Sequence, residues 1–155
     1  MTHNLPAAAL SVRQPWAWAI IFASKDIENR SQAAIQHGMR CQRIAIHAAK
    51  GMTQSEYDDA ARFMLEDIGI RCPPAAELAR GGIIGSVDVV AIVRESDSPW
   101  FFGPRGLVLR NPAPCAFIPA VGALGYFAWR EADPSIVPPP ARWMQPTPAA
   151  QRSLL

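Results

Sequence analysis

Four charged residues lie close together in sequence near the start of the chain. Arg13 precedes an apolar run, and Lys25, Glu28 and Arg30 follow it. A lysine beside a carboxylate in a partly desolvated cleft can act as a proton donor, or as a neutral base or nucleophile when burial outweighs the charge pairing. On an open surface the same two residues form an ion pair worth roughly 0 to 1 kcal/mol. Lys25 and Glu28 are therefore candidate catalytic residues, with the surface ion pair as the alternative.

The residues around this group could bind a ligand. Arg13 stands between a predicted strand and a helix that begins with proline, so its guanidinium could reach an anion near that helix start. Pairing with Glu28 is the alternative for Arg13. Arg30 could join the same charged network, and Gln14 could offer its amide to the edge of a base.

A second group of candidates closes the predicted strand 43–48. His47 could act as a general base near neutral pH, or could be a hydrogen-bonded core residue. Lys50 follows the strand end, where a phosphate or a reacting group could be met, and a solvated surface lysine is its alternative. The three histidines show no ligand spacing and the sequence has no Cys-x-x-Cys, so we expect no metal and no cofactor.

The loop 96–103 carries aromatic side chains beside a hydroxyl. Ser98, Trp100 and Phe101 could form a platform on which a base stacks, an interaction worth roughly 1 to 3 kcal/mol that tolerates many bases. The alternative is that Trp100 and Phe101 pack down as the lid of the core.

The hydrophobic patterns predict short strands, tight turns and a few helices. Pro15 opens an apolar helix that ends near Ser24, and Thr53-Gln54-Ser55-Glu56 has the form of a capping box at the start of a helix that runs to about Gly69. A shorter helix is predicted over 75–80, and Gly85 is a candidate bulge or close approach within the longest strand. Predicted strands cover 25–30, 43–48, 83–93, 106–109, 115–118 and 124–129. This order suggests an α+β fold, a small β-barrel of about five to seven strands with flanking helices.

Length and composition indicate one folded unit. The chain has 155 residues, which suits one domain over 1–133, and residues 134–155 form a proline-rich tail. No apolar stretch approaches the roughly 18 residues of a membrane span, and the first residues lack the features of a secretory signal. Three scattered cysteines fit reduced thiols, so we expect a cytoplasmic protein without membrane contact.

Charge is distributed unevenly along the chain. Residues 1–50 carry six basic and two acidic side chains, residues 51–100 carry four and nine, and residues 101–155 carry five and two. Positive ends around an acidic middle can attract an anionic ligand to one face.

Five segments, in order over most of residues 8–130, resemble the successive signatures of ASCH domains. The resemblance implies a PUA-like β-barrel with a cleft beside the first helix that binds RNA or a modified nucleoside. The segments are Leu10-Ser11-Val12-Arg13-Gln14-Pro15-Trp16-Ala17, Lys25-Asp26-Ile27-Glu28-Asn29-Arg30, Ile44-Ala45-Ile46-His47-Ala48, Gly81-Gly82-Ile83-Ile84-Gly85-Ser86-Val87 and Gly122-Ala123-Leu124-Gly125.

The resemblance also leaves two alternatives to simple binding. Some small ASCH proteins hydrolyse N4-acetylcytidine or cleave RNA; their catalytic lysine falls on Lys25, while Glu28 stands where the amidohydrolases carry threonine. Their separate glutamate has no assigned counterpart here. A ribonuclease would use Lys50 on the scissile phosphate. The other alternative is a non-catalytic module whose Trp100 loop and proline-rich tail dock another protein.

Overall fold

The computed structural model describes residues 4–145. Its centre is a six-stranded mixed sheet that curls into a half-barrel, in the order β2-β5-β4-β3-β1-β6. The α+β class and the barrel-like shape with flanking helices are therefore confirmed. The strands are β1 (Ala8–Val12), β2 (Ile27–Arg30), β3 (Arg43–Ala48), β4 (Gly82–Val93), β5 (Arg105–Pro119) and β6 (Tyr126–Ala128), and the helices are α1 (Trp16–Phe22), α2 (Gln32–Gln36) and α3 (Gln54–Phe63).

Strand pairing brings the first and last strands together in one sheet. β1 runs parallel to β3 and pairs with β6 on its other side through Ala8–Leu10, while the remaining neighbours are antiparallel. β2 and β6 are the edge strands. Ser11 and Val12 lie beyond the part of β1 that β6 covers, so this end of β1 faces the open side of the half-barrel.

α1 lies across the sheet and supplies much of the core. Its apolar residues Ala17, Ile20 and Ile21 are buried against side chains from the four central strands. Gly85 of β4 makes this approach possible, because a Cβ there would lie 2.8 Å from Cδ1 of Ile21 and 2.5 Å from the carbonyl oxygen of Ala113. The predicted close approach at Gly85 is confirmed, and it holds α1 next to the strands that carry the charged segment.

α3 begins with the predicted capping box. The Thr53 hydroxyl accepts from the backbone N–H of Glu56 at 3.1 Å, and the Glu56 carboxylate accepts from the backbone N–H of Thr53 at 3.0 Å. The helix continues as a π-helical turn, Met64–Ile68, and ends at Gly69, whose φ of +83° is left-handed. Met64 is buried in a second core cluster, which packs the helix onto the side of the sheet that carries Ile27.

Two local predictions are wrong, and one helix was not predicted. The segments 106–109 and 115–118 belong to one strand, β5, because Asn111 takes a left-handed φ of +55° and kinks the strand without ending it. The predicted helix over 75–80 is a single 3-10 turn, Ala75–Glu77. Helix α2 was not predicted; Ser31 caps it by accepting from the N–H of Ala34 at 3.1 Å.

Residues 134–145 pack against the body of the domain. Met144 is buried beside the side chains of α3, and the Trp143 ring lies 6.1 Å from the Tyr57 ring. Arg80 donates to the carbonyl of Pro139 at 3.1 Å. The rest of the predicted tail, 146–155, lies outside the described residues. Within residues 4–145, none of the helices has the length and apolar character that crossing a membrane would require.

Candidate functional site

A pocket of about 230 Å³ lies where α1, β2 and the loop before β5 meet. Aromatic rings and charged or polar side chains share its wall. This combination is typical of binding sites for small planar ligands, because rings supply contact area and a few polar groups fix orientation. The pocket is lined by Trp16, Lys25, Glu28, Asn29 and Phe102.

The Lys25 ammonium is buried at the back of this pocket. Its side chain is 2% exposed and donates to the backbone carbonyl of Ile27 and to Oε1 of Glu28, 3.2 Å away. The nitrogen also lies 5.9 Å from the centre of the Trp16 ring, within the range of a cation–π contact. An ammonium has three N–H donors, and these contacts use two of them as hydrogen bonds. One donor is therefore left for a ligand.

The Glu28 carboxylate lies between two cations. Besides Lys25, it contacts the guanidinium of Arg30 at 2.9 Å, and the glutamate side chain is only 11% exposed. A carboxylate offers about four acceptor positions, so Glu28 keeps free acceptor capacity. The open-surface alternative for Lys25 and Glu28 does not apply, because both side chains are buried.

Arg30 connects the site to the far side of the half-barrel. The Nη2 atom that contacts Glu28 also donates to the backbone carbonyl of Ser11 in β1 at 2.9 Å. Nε of Arg30 is the one buried side-chain nitrogen or oxygen within residues 4–145 that has no hydrogen-bond partner. The predicted network of Lys25, Glu28 and Arg30 is thus formed, and its guanidinium retains unused donors.

Two rings that the sequence did not single out form the aromatic wall. Phe102 is 58% exposed, and its ring centre lies 6.3 Å from that of Trp16 and 5.2 Å from that of Phe63. Phe63 in α3 packs against the Phe102 ring at an interplanar angle of 69°, and more than half of Phe102 stays exposed to solvent. The position of Trp16 directly after Pro15 was visible in the sequence, but its apolar neighbours made it look like a core residue.

Asn29 fixes the loop that carries Phe102. Its amide donates to the carbonyl of Trp100 at 2.9 Å and accepts from the N–H groups of Phe102 and Gly103 at 2.8 and 3.1 Å. Ser98 strengthens the same loop, because its hydroxyl donates to the Asp26 carboxylate. Ser98 therefore positions the loop and does not line the pocket. Asn29 was not predicted, although it lies inside the charged motif.

Trp100 and Phe101 point into the core. Trp100 is 4% exposed and packs edge-on against Trp16 and Phe63, while Phe101 packs against β2 and β5 beside Gly106. Neither lines the pocket. The lid interpretation describes these two residues, and the stacking position belongs to Phe102, the next residue along the chain.

Arg13 pairs with α3. Its guanidinium makes two hydrogen bonds of 2.6 Å to the Glu56 carboxylate, so it contacts neither Glu28 nor the pocket. Hydrogen bonds from Arg13 lower the pKa of Glu56 to about 2, and the same contact raises the pKa of Arg13. The partner lies 43 residues away in sequence, which is why the sequence did not reveal it.

His47 is a hydrogen-bonded core residue. Its Nε2 donates to the carbonyl of Ala120 at 2.7 Å, which leaves Nδ1 to accept from the Ser11 hydroxyl at 2.9 Å. Burial lowers the pKa of His47, so the neutral ring is favoured. The general-base interpretation has no support in this geometry, because both nitrogens are engaged away from the pocket.

Gln14 and Lys50 also lie away from the pocket. The buried amide of Gln14 donates to the carbonyl of Ala79 at 2.8 Å and accepts from the N–H of Trp18 at 2.9 Å, so it holds the start of α1 and cannot reach a base. Lys50 is exposed, and its side chain lies along Gly81. The structure therefore brings together Lys25, Glu28 and Arg30 and separates them from the candidates near β3.

Within residues 4–145, no group of three or more histidine, cysteine, aspartate or glutamate side chains could hold a metal ion. No protein-family model matches the chain, and no curated protein is significantly similar to it.

Proposed function

We propose that this chain is an ASCH-type module whose pocket binds a single nucleobase, as part of RNA or of a modified nucleoside. The observation that carries the proposal is that two buried charged residues, Lys25 and Glu28, line a pocket together with the exposed ring of Phe102, and that Arg30 contacts Glu28. The motifs that resemble those of ASCH domains support the same assignment. The charged motif and the first helix together supply four of the five residues that line the pocket.

The size of the pocket favours one flat ligand. Its volume of about 230 Å³ is below the range of roughly 300 to 1,000 Å³ that is typical of sites for drug-sized molecules. A base inserted between Phe102 and the charged wall would fill it, whereas a base-paired duplex would not enter. Single-stranded or looped RNA and free nucleosides are therefore the ligands that fit, because their bases can be turned outward.

The polar groups favour a base that carries both an amino group and a carbonyl. The free acceptor positions of Glu28 suit an exocyclic amino group such as N4 of cytosine, and the third N–H of Lys25 suits the ring carbonyl. Phe102 would stack on the base. Cytosine and guanine are the common bases that carry both groups, and we choose cytosine, the smaller of the two, for a pocket of about 230 Å³.

The cost of the buried charges supports a binding role. Charged side chains taken out of water are often replaceable by apolar ones without loss of stability, so a buried ionic group is weak evidence of a purely structural purpose. Here Lys25 and Glu28 lie at a pocket wall, where a polar ligand would use their remaining donors and acceptors. A base would gain hydrogen bonds that are stronger than in water, because the site is partly dry.

The test is a comparison of two phenylalanines with equal exposure. Phe102 and Phe22 are 58% and 56% exposed, but only Phe102 lines the pocket. Calorimetric titration with cytidine and with a short single-stranded oligocytidine should show binding that Phe102→Ala weakens roughly 5- to 150-fold, the equivalent of one lost stacking contact. Phe22→Ala should bind as the wild type does. Equal affinities for the two variants, or no binding by the wild type, would refute the proposal.

Hydrolysis of an N4-acylcytidine amide is a second candidate. It is favoured by the distance of 3.2 Å between the Lys25 nitrogen and Glu28, in a pocket with room for the acylated base. Lys25 would polarise the amide or activate water, and Glu28 would pass a proton to the departing amine. Incubation with N4-acetylcytidine should then release cytidine and acetate, and Lys25→Ala should abolish the release. Binding of the substrate without cytidine formation would leave the binding function alone.

The ribonuclease and docking alternatives have less support. Lys50 is exposed but does not line the pocket, and the Trp100 ring is buried and offers no exposed surface to a partner.

A further inference from the structure

Two arginines face each other beside the base pocket. Arg30 of β2 is paired in register with Arg105 of β5, and directly opposed residues of antiparallel strands project from the same face of a sheet. Their Cβ atoms are then separated by roughly 5 Å. Like charges at such positions are destabilising, so this pair needs a compensating anion.

The protein supplies a compensating carboxylate to only one of the two arginines. Glu28 contacts Arg30, but Arg105 donates through Nε to the neutral side-chain oxygen of Gln32. Within residues 4–145, neither terminal amino group of Arg105 has a hydrogen-bond partner, and Arg105 makes no ion pair. Together with Lys25, the site holds three cationic side chains against one carboxylate. An unpaired guanidinium fork in this setting is the usual donor to a phosphate or a carboxylate.

Each of the two arginines follows, within two or three residues of sequence, a residue that lines the base pocket. Arg30 follows Glu28 by two residues on one strand face, a distance of roughly 6.6 Å along the strand. Arg105 follows Phe102 by three residues, directly after the loop that Asn29 fixes. A group joined to the base through a ribose would therefore reach the arginines while the base remains on Phe102.

We propose that Arg30 and Arg105 form a phosphate subsite, so that the ligand of the pocket is a phosphorylated nucleoside unit and not a bare nucleoside. The inference rests on the proposed base-binding function. The phosphate belongs either to a free nucleotide or to the backbone of a single strand, and both present the same oxygens to the guanidinium groups. Charge-assisted hydrogen bonds of this kind raise affinity by about tenfold or more.

The test measures the dissociation constants of cytidine, cytidine 5′-monophosphate and the dinucleotide CpC by calorimetry at low and at high salt. For the wild type, one or both phosphate-bearing ligands should bind at least about tenfold more tightly than cytidine, and this advantage should shrink as salt is added. A gain for CpC alone identifies a strand, and a gain for the monophosphate alone identifies a free nucleotide. Arg105→Gln should bring the ratio of the cytidine and phosphate-ligand constants close to one.

The matched control is Arg110→Gln, an exposed arginine on the same strand, which should keep the wild-type ratio. Arg105→Lys keeps the charge without the fork, so it should retain only part of the advantage. Equal binding of cytidine and both phosphate ligands would overturn the phosphate subsite while leaving the base pocket intact. Phosphate binding that depends on Arg105 but not on Phe102 would instead overturn the base pocket, and absence of all binding would overturn both.

Discussion

The Glu28 carboxylate holds a buried lysine and a partly buried arginine together, so its neutralisation should be costly. In Glu28→Gln the shape of the side chain stays nearly the same, but Lys25 and Arg30 lose a charge that lies 3.2 and 2.9 Å from their nitrogens. With an effective dielectric constant of about 20, these two attractions amount to roughly 5 and 6 kcal/mol before the cost of desolvation. Because removal of one partner from a buried ion pair typically costs about 3 to 5 kcal/mol, we expect a loss in that range.

The assay is urea and thermal unfolding followed by circular dichroism. A loss of about 3 to 5 kcal/mol in a domain of this size lowers the melting temperature by roughly 6 to 20 °C. Lys25→Met should cost less than Glu28→Gln, because Glu28 keeps its contact with Arg30 when only the lysine is removed. Asp88→Asn is the matched control, since Asp88 also pairs with an arginine but does so at the surface, and its effect should be small.

The relative losses of stability in these variants test the reasoning. If Glu28→Gln unfolds at the same urea concentration as the wild type, the carboxylate does not neutralise the site. If Lys25→Met costs more than Glu28→Gln, the lysine acts mainly through packing and its bond to the Ile27 carbonyl, and the three charges do not form one unit.

Two further predictions concern pH. Arg13 holds the pKa of Glu56 at about 2, below its ordinary value of 4.5, so the pair stabilises the fold above about pH 4.5 and loses that contribution as pH falls toward 2. Because the pair is largely exposed, we expect the contribution to be less than about 1 kcal/mol. In urea unfolding, the midpoint of Glu56→Gln should change less with pH than that of the wild type. Burial lowers the pKa of His47 below 6.5, so the unfolded chain takes up a proton there more readily and stability should fall as pH drops below 6.5. NMR titration of the ring should give a pKa below 6.5. A normal or raised value would contradict the hydrogen-bond assignment.

Local sequence signals predicted most of the secondary structure. The capping box at Thr53 and the apolar run after Pro15 act over a few residues, so their hydrogen bonds and buried faces could be anticipated from spacing alone. The same holds for Lys25 and Glu28, which are three residues apart and meet because β2 begins between them. The sequence predicts two strands where β5 runs on through Asn111, since a left-handed residue is compatible both with a turn and with a continuing strand.

The composition of the site depended on contacts that sequence spacing does not encode. Arg105 faces Arg30 only through the register of β2 on β5, and Glu56 reaches Arg13 only because α3 packs beside the start of α1. The choice between Trp100 and Phe102 as the exposed ring depends on a difference of two residues along a loop that Asn29 fixes with three hydrogen bonds. Side-chain type indicated an aromatic wall, but the tertiary fold selected its members.

The hydrogen bond from Arg30 to the Ser11 carbonyl links β2 to β1 across the open side of the half-barrel. β2 and β6 are the edges of the sheet, and the end of β1 that carries Ser11 is not covered by β6. Across this gap a guanidinium, and not a ladder of backbone hydrogen bonds, joins the two sides. The link across this gap therefore depends on one side chain and not on strand pairing. Because the same guanidinium also contacts Glu28, the closure of the half-barrel and the charge balance of the site depend on one residue.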